Sequence, residues 1–402
     1  MKSDERDKRH SREENMKRII SVLGATGSVG QQALDVARSR GYSIDFLSAN
    51  RDAEALEAAA REFRPSVVAM ADERAALDLK ARLSDTEIKV LAGEEGICSG
   101  IRESKSETVV NSILGEAGLM PTLAVIESGK RLALANKESL VIAGDIVMSR
   151  ARERDVEIIP VDSEHSAIFQ SMKSGKPSEI KRLILTASGG PFFGKNREEL
   201  KRVTLSDTLA HPTWKMGKKI TVDSATLMNK GFEIIEAAHL FGISPDKIQV
   251  TVHRESILHS AVEYIDNSII GELSAPDMRM CVQYAVDYPD RCESASEPLD
   301  LFKIGKLTFF EPDNEAFPFL NLAKEAITLG GAMPAVMNAA DEIAVGEFLS
   351  GNISFTDIFD VVTGVFEQMR DAHACVELDA IIAADREARS RAEKMILKKN
   401  NA

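Results

Sequence analysis

Asp162 and Glu164 form a carboxylate pair that could bind a metal ion. They follow a short apolar run, residues 158–161, and only Ser163 separates them. In an extended chain, side chains two residues apart point the same way, so we expect the two carboxylates to converge at the end of a strand. Converging carboxylates repel each other without a cation, and an all-oxygen ligand set favours Mg²⁺ or Mn²⁺ over zinc. A solvated loop is the alternative, but a position at the ligand-binding edge of a sheet favours a site.

A third carboxylate is predicted in residues 222–233. If Ser224 caps a helix over 225–241, Asn229 and Glu233 share a face of that helix, and Lys230 is a neighbour of Glu233. The rest of the helix is apolar, so its polar residues cluster at one end, as a site requires. An exposed helix face explains this segment equally well when it is taken alone.

The second chemical feature is a glycine turn at residues 24–30, with glycines at every third position. It follows a predicted strand, 18–23, and leads into a helical pattern. Such glycines allow a tight turn and a close approach of the backbone to a pyrophosphate, and the first amides of the helix then face the anion. The turn therefore predicts dinucleotide binding, with a purely structural glycine turn as the alternative.

The second predicted strand ends in Ala49, Asn50 and Arg51, where an NAD site would usually place an acid. Arg51 could pair with a 2′-phosphate, so the residues favour NADP over NAD. A solvated surface arginine is the alternative.

The loop 210–217 holds Trp214, the only tryptophan of the chain, among polar and flexible residues. A lid that closes on a substrate has this composition. A loop whose tryptophan packs on a neighbouring domain has it too, and both interpretations stay open.

These residues need elements to position them. Up to about residue 160, short apolar runs alternate with helical patterns, which predicts a doubly wound parallel sheet. The predicted strands are 18–23, 43–48, 66–70, 107–112, 132–135 and 156–159, and helices are predicted at 53–63 and 121–128.

The later segments predict a different architecture. Residues 161–292 are predicted to form an α+β domain with a strand at 182–186, a glycine-rich turn at 188–191 and a hairpin of strands 261–265 and 269–273. Helical periodicity at 319–329, 335–349, 355–369 and 378–397 predicts a C-terminal bundle. We therefore predict an α/β protein with a tail at 1–17, a Rossmann-type domain at 18–160, a catalytic domain at 161–292, a linker at 293–318 and a helical domain at 319–402.

Composition limits the function classes. The chain has 402 residues and a net charge of −13, which argues against a broad nucleic-acid or membrane surface. Four scattered cysteines predict buried thiols in a reducing compartment and no zinc site. No apolar run has membrane-spanning length, no secretory signal is present, and the acids within residues 1–17 argue against a transit peptide, so a cytoplasmic enzyme of bacterial type is expected. Met16 is a possible alternative start.

Together these segments resemble the 1-deoxy-D-xylulose 5-phosphate reductoisomerase family from about residue 18 to about residue 369. The motifs that carry the resemblance are GATGSVG (24–30), ALANKESLV (133–141), PVDSEHSAIFQS (160–171), LTASGGPF (185–192), HPTWKMGKKITVDSATLMNKGFEIIEA (211–237), APDMR (275–279) and NAADEIAV (338–345). The chain departs from the family pattern at Arg254, where the family usually has proline after the histidine, and at Met280-Cys281-Val282. The second departure puts the helix geometry near residue 280 in doubt.

The resemblance implies a homodimer that converts 1-deoxy-D-xylulose 5-phosphate to 2-C-methyl-D-erythritol 4-phosphate with NADPH and Mg²⁺ or Mn²⁺, with Co²⁺ as a further possibility. The cofactor residues it implies are Thr26, Gly27, Ser28, Val29, Ala49, Asn50, Arg51, Asn136, Glu138 and Gly217. The metal ligands are Asp162, Glu164 and Glu233. The substrate residues are Lys137, Ser163, Glu164, Ser188, His211, Trp214, Ser224, Asn229, Lys230 and Glu233. The catalytic residues are Lys137, Asp162, Glu164, His211 and Glu233.

Two other functions fit parts of the sequence. An NADP-dependent dehydrogenase of another phosphorylated hydroxyketone or aldehyde would need the glycine turn but not three converging carboxylates. A nucleotide-binding regulator would need neither the carboxylates nor the polar set around them, so those residues argue against it.

Overall fold

The first layer of the molecule is a seven-stranded parallel sheet. The structure is a computed structural model that describes residues 18–211, 214 and 216–400, so the predicted tail lies outside the described residues. The strands are β1 Ile19–Leu23, β2 Ser43–Ala49, β3 Val67–Met70, β4 Lys89–Ala92, β5 Thr108–Asn111, β6 Arg131–Leu134 and β7 Ile158–Pro160. Their order is β4-β3-β2-β1-β5-β6-β7, with every pair parallel. The predicted doubly wound sheet is confirmed.

Helices flank this sheet on both faces. They are α1 Ser28–Arg40, α2 Ala53–Phe63, α3 Glu73–Arg82, α4 Gly93–Glu103, α5 Leu119–Glu127 and α6 Glu138–Glu153. The strand order reverses between β1 and β5, and a ligand crevice forms at such a switch point, outside the carboxyl ends of the strands. The prediction missed β4, because this edge strand is partly exposed and has no long apolar run.

A four-stranded sheet follows in the chain. Its strands are β8 Ile180–Ala187, β9 Ile248–Val252, β10 Leu258–Tyr264 and β11 Ile269–Leu273, in the order β11-β10-β8-β9. Strands β10 and β11 are antiparallel, which confirms the predicted hairpin. Its helices are α7 Ser163–Ser171, α8 Arg197–Leu200, α9 Leu205–Leu209, α10 Lys218–Thr226, α11 Met228–Phe241, α12 Met278–Asp287 and α13 Leu301–Ile304.

The predicted helix over 225–241 is wrong at its start. Leu227 has a φ of 61°, in the left-handed region, and it separates α10 from α11. Ser224 therefore lies near the end of α10 and does not cap the helix that carries Glu233. Leucine favours a helix interior. At this break the packing of the buried Leu227 side chain therefore outweighs its local helix propensity.

The C-terminal part is helical, as predicted, with α14 Phe319–Leu329, α15 Met333–Leu349, α16 Phe355–Gln368 and α17 Leu378–Asn400. Helix α14 packs closely on α11. A Cβ at Gly231 would lie 3.1 Å from the carbonyl oxygen of Phe319 and from Cβ of Ala323. The helical layer thus fixes the helix that carries Glu233.

Two other expectations have different outcomes. Helix α12 is regular over Met278–Asp287, so the departure from the family pattern does not disturb it. The expectation of buried thiols holds for Cys98 and Cys281 but is wrong for Cys292, which is exposed in the loop after α12.

Within the described part of the chain, no helix is both long and apolar enough to cross a membrane.

Phe355 links the helical layer to the second sheet. Its side chain is 1% exposed, and its ring packs edge-on against Phe192, just after the glycine-rich turn, with centroids 5.0 Å apart. We expect Phe355→Ala to lower the free energy of unfolding by about 3–5 kcal/mol, because the substitution leaves a cavity in a packed core. Urea denaturation measures this loss. Leu77→Ala is the control, since Leu77 is 71% exposed and its loss should stay within about 0.5 kcal/mol. Equal losses in the two variants would contradict the prediction.

Candidate active site

Asp162 and Glu164 meet at the start of α7, directly after β7. The expected extended geometry is wrong: Asp162 caps the helix by accepting from the Glu164 amide at 3.2 Å, and Glu164 lies in the first turn. The carboxylates still converge, because both lie at one helix end beside the sheet edge. Ser163 donates its hydroxyl hydrogen to Glu164.

Glu233 completes the set from α11. One oxygen from each of Asp162, Glu164 and Glu233 lies within 4.8 Å of the others. The Glu233 side chain is fully buried, so an uncompensated charge there would be costly. Three oxygen ligands around one point fit a hard divalent cation.

Two lysines bind this carboxylate set. The Lys137 ammonium lies 2.6 Å from Asp162 Oδ2 and 3.2 Å from Glu233 Oε1. The Lys230 ammonium lies 2.7 Å from Glu164 Oε1 and also bonds Glu233. The side-chain amide of Asn229 also donates to Glu233, as the spacing of the two residues along α11 predicts. Lys137 and Lys230 thus lie in one network with the three carboxylates.

The surroundings shift the pKa values of Glu233 and Asp162 in opposite directions. Burial, together with the charge of Glu164, raises the pKa of Glu233. Burial also opposes ionisation of Asp162, but Lys137 and His165 outweigh it and hold the pKa of Asp162 well below its ordinary range. Three carboxylate oxygens that converge on one point offer ligands to a divalent cation, so these residues fit a bound metal.

His165 contacts Asp162 and the backbone of Glu233, and it was not predicted as a site residue. Its Nδ1 lies 3.2 Å from Asp162 Oδ1, and its Nε2 lies 3.0 Å from the Glu233 carbonyl oxygen. Since a carbonyl only accepts, Nε2 carries a proton. The ring therefore ties the two ligand-bearing helices together, an arrangement typical of groups that orient metal ligands.

A second polar set surrounds His211. The Trp214 amide donates to His211 Nδ1 at 2.9 Å, and His211 Nε2 lies 3.1 Å from both the Ser188 and Ser224 hydroxyl oxygens. Burial and the charge of Arg254 lower the pKa of His211. With Nδ1 accepting, the neutral ring carries its proton on Nε2 and faces the two serines as a donor. The predicted substrate residues Ser188, His211 and Ser224 are thus in contact.

The glycine turn forms a cradle at the start of α1. A Cβ at Gly30 would lie 2.8 Å from Ala25 Cα and closer still to the Gly24 carbonyl oxygen. No side chain caps the helix at Gly27, and its first turn holds no acid. The backbone amides at Ser28 and Val29 are therefore open to an anion, which fits a dinucleotide pyrophosphate.

One cleft of about 770 Å³ joins these groups. The predicted site residues that line it are Gly27, Ser28, Val29, Lys137, Glu138, Asp162, Ser163, Glu164, Ser188, His211, Trp214, Gly217, Ser224, Asn229, Lys230 and Glu233. The predicted cofactor residues outside its lining are Thr26, Ala49, Asn50, Arg51 and Asn136.

The residues outside the lining have other surroundings. Arg51 is 79% exposed, and its Nε lies 3.2 Å from Asp72 Oδ2. Asn136 is buried, and its amide donates to the carbonyl oxygens of Ile113 and Gly115 at 2.8 and 3.0 Å. Asn136 therefore shapes the loop after β5.

That loop was missed by sequence reasoning. Ser112, Ile113 and Leu114 line the cleft next to the glycine turn. The signal was available, because loops at the carboxyl ends of parallel strands form the ligand crevice. Trp214 lies across the cleft, with its ring centroid 6.3 Å from that of His259.

A second buried acid pair connects the cleft to the helical layer. Lys219 donates to Asp223 Oδ2 at 2.6 Å and to Asp341 Oδ2 at 2.9 Å. Burial and the charge of Asp341 raise the pKa of Asp223. An acid with a raised folded pKa stabilises the fold fully below its ordinary pKa, and this contribution is lost as pH rises through the folded pKa.

Asp341→Asn should therefore weaken the loss of stability between about pH 4 and about pH 8, because the neutral amide removes the repulsion on Asp223. Thermal unfolding midpoints measured across this window check it. Asp371→Asn, at an exposed position, is the control and should follow the unmodified protein. The same pH profile in all three proteins would refute the predicted repulsion.

Comparison with known families agrees with this geometry. The model described as 1-deoxy-D-xylulose 5-phosphate reductoisomerase matches residues 20–144. The C-terminal domain model of the same enzyme matches residues 158–241, and the model described as DXP reductoisomerase C-terminal domain matches residues 273–391.

Full-length relatives extend the match. The 1-deoxy-D-xylulose 5-phosphate reductoisomerase of Acetivibrio thermocellus is 52% identical over 380 residues, which is 94% of this chain and 99% of the relative. The structure of the enzyme from Zymomonas mobilis in complex with NADPH superimposes with a TM-score of 0.88 at 41% identity, over 95% of this chain and 99% of the other. A DOX-P reductoisomerase in complex with NADPH, fosmidomycin and magnesium superimposes with a TM-score of 0.90 at 37% identity, over 94% and 98%. With the fold, the site and nearly the whole sequence in agreement, this chain belongs to the 1-deoxy-D-xylulose 5-phosphate reductoisomerase family.

Proposed function

We propose that this chain converts 1-deoxy-D-xylulose 5-phosphate to 2-C-methyl-D-erythritol 4-phosphate with NADPH and Mg²⁺ or Mn²⁺, and that Co²⁺ can replace them. The observation that carries the proposal is the convergence of Asp162, Glu164 and Glu233 in the same cleft as the glycine cradle. A plain dehydrogenase has no need of such a set. The reaction belongs to the non-mevalonate route to isoprenoids.

Asp162, Glu164 and Glu233 would hold the cation. When bound, a divalent cation polarises the neighbouring hydroxyl and carbonyl oxygens of the substrate and stabilises negative charge on them. Lys137 holds Asp162 ionised and so keeps it ready as a ligand. Lys230 bonds both Glu164 and Glu233 and keeps their oxygens turned to one point.

Ser188, Ser224, Asn229 and Lys230 suit the substrate phosphate, because they combine one positive charge with several neutral donors. His211 adds its Nε2 proton between the two serines. Ser188, His211 and Ser224 would thus bind the phosphate next to Asn229 and Lys230, which also contact the carboxylates that would hold the cation.

The cofactor side is formed by the glycine turn, where Gly27 lines the cleft and the amides at Ser28 and Val29 would bind the pyrophosphate. NADPH, when bound, supplies the hydride. The proposal keeps Thr26, Ala49, Asn50, Arg51 and Asn136 as cofactor residues from the family resemblance, with Glu138 and Gly217 on the cleft wall. Trp214 would cover the substrate and keep water from it.

We also propose a homodimer, which the family resemblance implies. A cytoplasmic location and domain boundaries at residues 160, 292 and 318 are proposed from the composition and the pattern of the sequence.

The direct test mixes the purified chain with NADPH and 1-deoxy-D-xylulose 5-phosphate and follows the nicotinamide absorbance, first with Mn²⁺ and then with excess chelator. Oxidation that stops with the chelator supports the proposed reaction. Oxidation that persists indicates a plain dehydrogenase. If a folded protein that binds NADPH gives no oxidation, 1-deoxy-D-xylulose 5-phosphate is refuted as the substrate.

A further inference from the structure

Arg254 follows β9 and is one of the two departures from the family pattern. Its Nη1 donates to the carbonyl oxygens of Ser188 and Gly190, at 3.0 and 2.7 Å. Its guanidinium carbon lies 5.2 Å from the centre of the Phe193 ring. One side chain therefore holds both ends of the glycine-rich turn after β8.

This turn needs such support. Gly189 and Gly190 both have positive φ values, 77° and 63°, so the chain reverses sharply there. The Gly190 amide donates to the Ser188 hydroxyl oxygen at 3.2 Å, which sets the position of that hydroxyl. A Cβ at Gly190 would lie 2.7 Å from the Ser224 carbonyl oxygen, so the turn also packs directly on α10. Movement of the turn would displace Ser188 relative to Ser224.

Arg254 also acts through its charge. Within the described ranges 18–211, 214 and 216–400, no carboxylate forms an ion pair with it. Its positive charge is therefore not neutralised by an ion pair with a described carboxylate, and together with burial it helps to keep His211 neutral. A proline at this position would provide neither the two hydrogen bonds nor the charge.

We propose that Arg254 is a positioning residue for the substrate phosphate. Its side chain fixes the Ser188–Gly190 turn and adds, next to that turn, a positive charge that forms no ion pair with a described carboxylate. This inference rests on the proposed function for the identity of the phosphate ester.

The structure offers a way to separate positioning from folding. Arg254 lines a second cavity, of about 700 Å³, and not the cleft that holds Asp162, Glu164 and Glu233. Free guanidinium can enter from there in an Arg254→Ala variant and replace the missing group. Arg202 lines the same cavity without bonding the turn, so Arg202→Ala is the matched control.

Arg254→Ala should raise KM for 1-deoxy-D-xylulose 5-phosphate about tenfold and leave kcat within about threefold, because a displaced Ser188 loses a phosphate contact that is the same in substrate and transition state. Millimolar guanidinium should restore KM, Arg254→Lys should raise KM less than alanine does, and Arg202→Ala should leave it unchanged. An unchanged KM in Arg254→Ala, or a loss confined to kcat and thermal stability, would overturn the proposal.

Binding of inorganic phosphate tests the inference without the reaction. Trp214 is the only tryptophan, and its amide contacts His211, so its fluorescence reports on this end of the cleft. Arg254→Ala should weaken phosphate binding about tenfold. If the unmodified protein binds phosphate but does not turn over the substrate, the proposed function fails while the role of Arg254 is still decided by this titration. Equal phosphate affinities in the two proteins would overturn that role.

Discussion

Glu233→Gln lowers the turnover of 1-deoxy-D-xylulose 5-phosphate by about 10²- to 10³-fold while the affinity for NADPH stays within about twofold. The amide keeps the size of the side chain, but its single oxygen can accept from only one of Lys137 and Lys230, because the two lysines bond different oxygens of Glu233. It removes one of the three converging negative charges, so the cation loses a ligand and the charge that develops in the reaction loses its stabilisation. Steady-state kinetics with varied Mn²⁺, together with NADPH titration, measures both effects.

The control for this variant is Glu198→Gln, an exposed acid whose ion-pair partner is Lys201. It should keep normal kinetics. Turnover near that of the unmodified protein in Glu233→Gln would remove Glu233 from the site, and a parallel loss of NADPH binding would indicate damage to the fold instead.

Gly30→Ala should weaken NADPH binding by about 100-fold, since hydrogen bonds to a charged group contribute about 1.5 kcal/mol each and two amides are displaced. The added Cβ would meet the backbone of Gly24 and Ala25, so the turn must open and its amides must leave the pyrophosphate. Fluorescence titration of NADPH measures the change. Gly346→Ala is the matched control, because an added Cβ meets no atom within 4 Å at that exposed position in α15.

Gly346→Ala should bind NADPH normally and gain up to about 1 kcal/mol in the free energy of unfolding, as alanine favours a helix over glycine. Unaltered NADPH binding in Gly30→Ala would show that the close approach at Gly30 does not shape the cofactor site.

The sequence predicts which residues form the site better than it predicts the backbone geometry that brings them together. Asp162 and Glu164 were predicted from their spacing, but they meet at a helix start and not along a strand. The local sequence carries the correct signal as well, because Asp before Ser-Glu is typical of a helix N-terminus. Periodicity alone cannot decide between the two when the apolar run is short.

Other features depend on contacts between distant parts of the chain. Leu227 ends a helix without glycine or proline, so only its tertiary packing reveals the break. Asp341 reaches Lys219 from a helix 122 residues away in sequence, and His165 touches Glu233 through its backbone. The alternation of apolar runs and helical patterns predicted the doubly wound sheet and the C-terminal helices, whereas the order of the strands and these side-chain links required the structure.

The most direct test of the proposed reaction is the carbon skeleton of the product. Incubation of the chain with NADPH, Mn²⁺ and ¹³C-labelled 1-deoxy-D-xylulose 5-phosphate, followed by ¹³C NMR, distinguishes rearrangement from simple reduction. We predict a branched product whose methyl group is attached to a carbon without hydrogen, as in 2-C-methyl-D-erythritol 4-phosphate. A linear deoxypentitol phosphate, with the methyl group next to a carbon that bears hydrogen, would contradict the proposed function.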